Sequence, residues 1–272
     1  MVVPIRIDDP ADPRLAAYAA IRERDLVGRQ GRFVAEGEVV LRVLLSPRAR
    51  FRPESILLAP ERLPGLMPLL AASGTAAPVY VAPRPVMSAL AGFPIHRGVL
   101  AIGRGGPDPD PDALVPEGPA LLLGLVGLAN HDNVGGLFRN AAAFGADAVI
   151  LDAATCDPLY RKAIRVSAGT ALTMPFGRVP DGEALLALCH RHGLVPVALT
   201  PAGEEDIAAL PPLPRALLLL GTEGTGLPEA LMARSRRVRI AMAPGVDSLN
   251  VAAAGAVALH RLAGARLAAR PA

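Results

Sequence analysis

Apolar residues gather along this chain in short runs separated by glycine, proline and charged residues. The clearest run is Leu121-Leu122-Leu123-Gly124-Leu125-Val126-Gly127-Leu128, whose continuity predicts a strand buried on both faces. Behind it the pattern alternates. A helix is expected over 133–144, a strand over 148–151, a helix over 182–192 and a strand over 195–199. A strand over 216–220, a short helix over 228–235, a strand over 238–242 and a long helix from Asn250 complete this part. Strand then helix, repeated, predicts a parallel sheet wrapped by helices. Upstream, a helix over 13–26, a strand and turn over 32–37 and a helix over 38–45 are expected. Strands over 55–59, 78–81 and 98–102 and a helical segment over 86–91 then predict a smaller α/β layer domain.

The two patterns meet at Gly103-Arg104-Gly105-Gly106-Pro107-Asp108-Pro109-Asp110-Pro111-Asp112. Alternating proline and aspartate cannot sustain a helix or a central strand, so this stretch reads as a linker. The expected organisation is one domain over 1–105, a linker over 106–118 and a second domain over 119–272. No apolar run reaches the ~18–20 residues of a membrane span. The first residues turn acidic at Asp8-Asp9 without the long apolar segment of a signal peptide. Both features predict a soluble, cytoplasmic protein. Two cysteines, Cys156 and Cys189, are too few for a disulfide framework or a four-cysteine metal site. His190-x-His192 at a helix end is by itself weak evidence for a metal site, and no metal is expected.

Charge is unevenly spread. Residues 1–105 carry 14 basic against 9 acidic side chains, whereas 106–272 carry 14 against 16. A basic first half suits a polyanionic partner. Because 27 of the 28 basic residues are arginine, a general coding bias accounts for much of the arginine content.

Three loops follow predicted strands, where ligands of parallel sheets collect. The first is Leu128–Asn140, where Asn133 can cap the coming helix and Arg139, six residues on, can share its face. The second is Leu220–Pro228, with three glycines over 221–226 that let backbone approach a ligand. It has no Gly-Lys-Ser/Thr, and the first strand lacks a Gly-x-Gly-x-x-Gly fingerprint, so phosphate-loop and nicotinamide-dinucleotide sites are unsupported. The third is Ile240–Val251, a Pro-Gly loop in which Ser248 or Asn250 opens a helix.

In order and spacing these loops resemble the three motifs of the SpoU-type (TrmH-like) RNA 2′-O-ribose methyltransferases of the SPOUT superfamily. The residues that carry the resemblance are Asn133-x-Gly135-x-x-x-Arg139, Leu220-Gly221-x-Glu223-x-x-Gly226-Leu227 and Ser248-Leu249-Asn250-Val251. Arg165-x-Ser167-x-Gly169 resembles the family's loop between the first two motifs. Phe33–Gly37 and Gly98-Val99-Leu100 resemble its L30e-like substrate-binding domain. One departure is Ala252, where many members have serine.

The resemblance implies an α/β fold: a C-terminal SPOUT domain with a parallel sheet and a trefoil knot, behind an N-terminal L30e-like domain that binds structured RNA, tRNA or rRNA. It implies S-adenosylmethionine (AdoMet) as cofactor and a homodimer. Arg139, Asn133, Ser248, Asn250 and Glu223 are its implied catalytic residues. Thr222, Gly221, Glu223, Gly226, Ile240, Ser248, Leu249 and Asn250 are implied to bind the cofactor, largely through main chain. The implied reaction is in-line attack of a ribose 2′-hydroxyl on a sulfonium-borne methyl, which mainly requires alignment and loss of a proton. A guanidinium pKa above about 12 favours phosphate gripping by Arg139 over proton abstraction. His131, inside the first motif, is a candidate RNA contact. The competing reading is a catalytically silent RNA-binding protein of the same fold.

Overall fold

The structure, a computed structural model, describes residues 2–19 and 31–268, with side chains to residue 264. Its contacts divide the chain into two units, residues 1–107 with 159–173, and 108–158 with 174–272.

The first unit holds β1 (Ile5–Arg6), β2 (Arg32–Glu36), α1 (Glu38–Leu44), β3 (Arg52–Leu58), α2 (Leu63–Ser73), β4 (Val79–Val81), α3 (Arg84–Ala91) and β5 (Val99–Arg104). Its sheet runs β1-β4-β3-β5-β2, with β5 antiparallel to both neighbours and the other pairs parallel. Gly103 of β5 sits opposite Phe33 of β2. The Phe33 ring covers that glycine so closely that a Cβ there would overlap it, and its far side packs edge-on against Phe51 at 5.4 Å. The helix expected over 13–26 is a 3-10 turn over Pro13–Tyr18, because Ala19 turns extended; residues 20–26 lie outside the described residues. Its end is pinned by the buried Tyr18 hydroxyl, 2.8 Å from Ser55 Oγ. The pattern did not predict α2, whose Pro64, Gly65 and Pro68 argue against a helix. Burial of Leu66 and Leu70 on one face, and the left-handed Gly74 that ends it, overcome those residues.

The second unit holds β6 (Ala120–Leu125), α4 (His131–Ala143), β7 (Ala148–Asp152), β8 (Phe176–Val179), α6 (Gly182–His192), β9 (Val195–Leu199), β10 (Glu205–Asp206), β11 (Arg215–Leu220), α7 (Glu229–Met232), β12 (Arg236–Arg239) and α8 (Val251–Ala268). Between β7 and β8 the chain forms α5 (Arg161–Val166), which belongs to the first unit. The seven strands run β10-β12-β9-β11-β6-β7-β8, and every pairing is parallel. Leu122, Ile150, Leu185, Leu188, Leu217 and Leu219 fill one face of this sheet. The helices α4 and α8 meet on close terms: a Cβ at Gly136 would lie 3.0 Å from that of Ala252, and one at Gly255 would overlap Leu137. Among the described residues no helix is long and apolar enough to cross a membrane.

Two features depart from the expected division. Residues 159–173, expected within the second domain, pack into the first unit. There Arg161 pairs with the buried Glu36 and covers the Phe93 ring at 4.4 Å, and Ala163, Ile164 and Leu172 are buried. The stretch expected as a free linker is fastened from Asp108 onward. Asp110 caps a 3-10 turn over Pro111–Leu114, and Asp112 pairs with Arg191 at 2.8 Å and His192 at 2.7 Å. Each aspartate has found a donor, which a free tether would leave in water.

Burial raises the thiol of Cys189 to about 12, and burial, aided by the adjacent Asp157 carboxylate, raises that of Cys156 to about 11. Only the thiolate is reactive, so at pH 8 iodoacetamide is expected to label native protein slowly at both cysteines and unfolded protein rapidly. Fast native labelling of Cys156, read by mass spectrometry, would contradict this burial. Gly103→Ala is expected to lower stability by about 1–3 kcal/mol in urea unfolding, since the Phe33 ring must leave its place between Gly103 and Phe51. An unchanged midpoint would mean the sheet relaxes freely there.

Candidate functional site

A parallel sheet delivers all of its strand carboxyl ends to one edge, and the loops after β6, β9, β11 and β12 leave four adjacent strands there. The loop after β6 is held from below. The buried Asp152 carboxylate, at the end of β7, accepts the Gly127 N–H at 3.0 Å, the Thr155 N–H at 2.8 Å and the Thr155 hydroxyl at 2.7 Å. Thr155 Oγ1 in turn accepts the Leu128 N–H at 3.3 Å, and Leu128 O accepts the Cys156 N–H at 2.8 Å. Sequence reasoning missed this clamp. Its one signal is a carboxylate closing an otherwise apolar strand, Ala148-Val149-Ile150-Leu151-Asp152.

That loop delivers the chain to α4, whose cap is Asn130 and not Asn133. Asn130 Oδ1 accepts the Asp132 N–H at 2.8 Å. Asn133 instead lies within the first turn with its side chain buried, and its amide spans the other two loops. Asn133 Nδ2 donates to Glu223 Oε1, and Asn133 Oδ1 accepts from Asn250 Nδ2 at 2.8 Å. Asn250 caps α8, its Oδ1 accepting the Ala252 and Ala253 N–H groups at 2.9 and 3.3 Å. Six residues turn a helix by about 600°, so Arg139 points roughly 120° away from Asn133 and not along its face. Asn140, seven on, returns to that face and donates to Ala252 O at 2.7 Å. Ala252 thus contributes its small side chain to the approach of α4 and its carbonyl to Asn140. Arg139 is exposed, and its side chain makes no hydrogen bond or ion pair among the described residues.

The second loop folds tightly on itself. Gly226 N–H donates to Thr222 O at 3.1 Å, the Thr222 and Thr225 hydroxyls lie 2.9 Å apart, and Gly226 adopts φ +69°. A Cβ on Gly221 would overlap the Gly226 backbone, so this position requires glycine. The third loop runs from the end of β12 to the Asn250 cap, turning at Gly245 with φ +84°.

The second and third loops, with the turn after β9, wall a cavity of about 530 Å³, a size usual for a small-molecule site. All eight residues expected to bind a cofactor line it, Gly221, Thr222, Glu223, Gly226, Ile240, Ser248, Leu249 and Asn250. Leu199, Pro201, Leu220, Met242 and Val251 add apolar wall, and Asp247 is a second carboxylate residue in the lining, in addition to Glu223. Arg139 and Asn133 are outside the lining, Asn133 reaching it only through Glu223 and Asn250. Arg165 is exposed within the first unit, while the buried Ser167 hydroxyl donates to Ile164 O at 2.8 Å and Gly169 packs against Val43. His192 is engaged by Asp112, outside the cavity.

The model of the SpoU rRNA Methylase family matches residues 120–260. An uncharacterised tRNA/rRNA methyltransferase of Mycobacterium tuberculosis is 40% identical over 262 residues, covering 93% of this chain and 89% of the relative. The 23S rRNA (guanosine-2′-O-)-methyltransferase of Acinetobacter baylyi is 32% identical over 70% of this chain and 79% of its own. Among solved structures, the AdoMet complex of the SpoU methyltransferase AviRb from Streptomyces viridochromogenes superimposes with a TM-score of 0.80. It is 25% identical over 94% of this chain and all of that one. An AdoMet-bound rRNA methyltransferase from Sinorhizobium meliloti shares the fold with a TM-score of 0.81 at 23% identity, over 97% of this chain and 98% of that one.

Asn133→Ala removes the hydrogen bonds to Glu223 and Asn250, both exposed and able to turn to water, and is expected to cost about 0.5–1.5 kcal/mol in urea unfolding. Asn133→Asp, nearly the same shape, is expected to cost more at pH 7.5, because it sets a carboxylate against Glu223. Its excess penalty then shrinks as pH falls through the carboxylate range and one group takes a proton. An aspartate better tolerated than alanine at pH 7.5 would contradict the donor role given to Asn133.

Proposed function

The chain belongs to the SpoU rRNA methylase family, and on that premise we propose that it transfers a methyl group from AdoMet to a ribose 2′-hydroxyl of tRNA or rRNA. One observation carries this reading: Asn133 of the first motif hydrogen-bonds both Glu223 of the second and Asn250 of the third, and those two partners line a cavity walled by the second and third motifs. The cavity suits AdoMet. Its apolar wall can take the adenine, the glycine-built loop exposes backbone, and its carboxylates match positive charge. Thr222, Gly221, Ile240 and Leu249 would hold the adenosine through main chain, with Ser248 and Gly226 completing the rim. When bound, AdoMet supplies a methyl on a sulfonium leaving group.

The protein then has to align the acceptor. Arg139 is the residue we assign to that task, gripping a phosphate next to the attacking 2′-hydroxyl with its planar, permanently charged guanidinium. Its exposure and lack of partners suit a group that waits for a polyanion.

The first unit is the expected RNA holder. With its inserted segment it carries 17 basic against 9 acidic residues, while the second carries 11 against 16. The side chains of Arg48, Arg52, Arg97 and Arg165 make no hydrogen bond or ion pair among its described residues. This supports an L30e-like role in RNA recognition. We further infer the trefoil knot that the resemblance to this family implies. Exposed Val246, Leu249 and Val257, on the third loop and α8, support a homodimer built on that end. The place of action is the cytoplasm, where these RNAs are found.

The test uses AdoMet labelled in its methyl group with tRNA and rRNA from a strain lacking this enzyme. Label is expected in 2′-O-methylnucleosides after digestion, with Arg139→Ala lowering turnover by about 10²-fold or more and Arg139→Lys recovering little. Label in a base would overturn the ribose assignment. Cofactor binding without label in any RNA would favour the silent RNA-binding protein, and full turnover by Arg139→Lys would overturn the bidentate grip.

A further inference from the structure

The amide orientations around the cavity follow from a chain of necessity. The oxygen of Asn250 is committed to two backbone N–H groups at the start of α8, so its nitrogen must face Asn133. Asn133 therefore presents oxygen to Asn250 and nitrogen to Glu223. Glu223 can only accept at that contact, which one of its oxygens satisfies. Its second oxygen has no hydrogen bond among the described residues, and the side chain lines the cavity. Among the described residues lining that cavity the charged side chains are Glu223 and Asp247, and none is basic.

A cavity of this charge distinguishes ligands by charge. AdoMet carries a sulfonium, an ammonium and a carboxylate, for a net charge of +1. S-adenosylhomocysteine, left after methyl transfer, has lost the sulfonium charge and is neutral overall. We propose, resting on the AdoMet reading above, that Glu223, held by the Asn250–Asn133 relay with one oxygen open to the cavity, senses the sulfonium. By that contact the site prefers the methyl donor over its demethylated product. Asn133 and Asn250 are then positioning residues, acting through the carboxylate they orient. A site that favours a positively charged donor in this way lets the spent product leave.

Isothermal titration calorimetry of the full chain with AdoMet and, separately, S-adenosylhomocysteine tests this without turnover. Wild type is expected to bind AdoMet more tightly, and Glu223→Gln to shrink the affinity ratio by about five- to tenfold, mainly by weakening AdoMet. Equal weakening of both ligands, leaving the ratio unchanged, would overturn the proposal, because Glu223 would then face a group the two share. Failure of wild type to bind either ligand would instead remove the cofactor reading beneath it. A third titration needs no variant and covers a Glu223→Gln protein that fails to fold. Sinefungin carries a protonatable amine where AdoMet has its sulfonium, and is expected to bind wild type more tightly than S-adenosylhomocysteine. Affinity no better than that of the neutral product would overturn the proposal.

Discussion

A buried primary amide has to satisfy both its ends, and in this protein that requirement falls on Asn133. Its two partners, Glu223 and Asn250, are distant in sequence and arrive on separate loops. Water cannot take their place where the side chain is buried, so the three loops must meet in one arrangement for the fold to be satisfied. The same contact that closes the hydrogen-bond account of α4 therefore assembles the cavity.

This arrangement depends on rigid support on either side. The parallel sheet brings four strand ends to one edge, and Asp152 with Thr155 fixes the loop after β6 before it enters α4. The approach of α4 and α8 through Gly136 and Ala252 then sets the distance across which Asn133 meets Asn250. On the far side, Gly221 allows the second loop to fold back on Gly226 and present Glu223. What stays open is chemically distinct from what is closed. Asn133 is enclosed by partners, whereas Arg139 and the second oxygen of Glu223 are left for ligands.

Much of this was legible in the sequence. Uninterrupted apolar strands such as Leu121–Leu125 announce a sheet buried on both faces, and the alternation with helices announces parallel pairing. The motif residues around the cavity were readable because glycine and capping residues have few other reasons to follow strand ends. Other features depend on partners that spacing does not reveal. The position of Asn133 suggested a cap, but Asn130 had the better geometry three residues earlier. The proline-containing α2 forms because Leu66 and Leu70 are buried, an outcome that helix propensity alone opposes. Residues 159–173 join the first unit through Arg161 and the buried Ile164, a long-range pairing invisible in local pattern. The Asp152 clamp is of the same kind: one carboxylate at a strand end says little until Gly127 and Thr155 are found against it.

The central claim is that the loops joined through Asn133 behave as one AdoMet-binding element. Hydrogen–deuterium exchange read by mass spectrometry, with and without AdoMet, tests it most directly. Protection is expected to rise together in peptides covering 220–226 and 240–251, with little change over residues 32–104. Protection confined to the first unit, or rising in one of these loops but not the other, would contradict it.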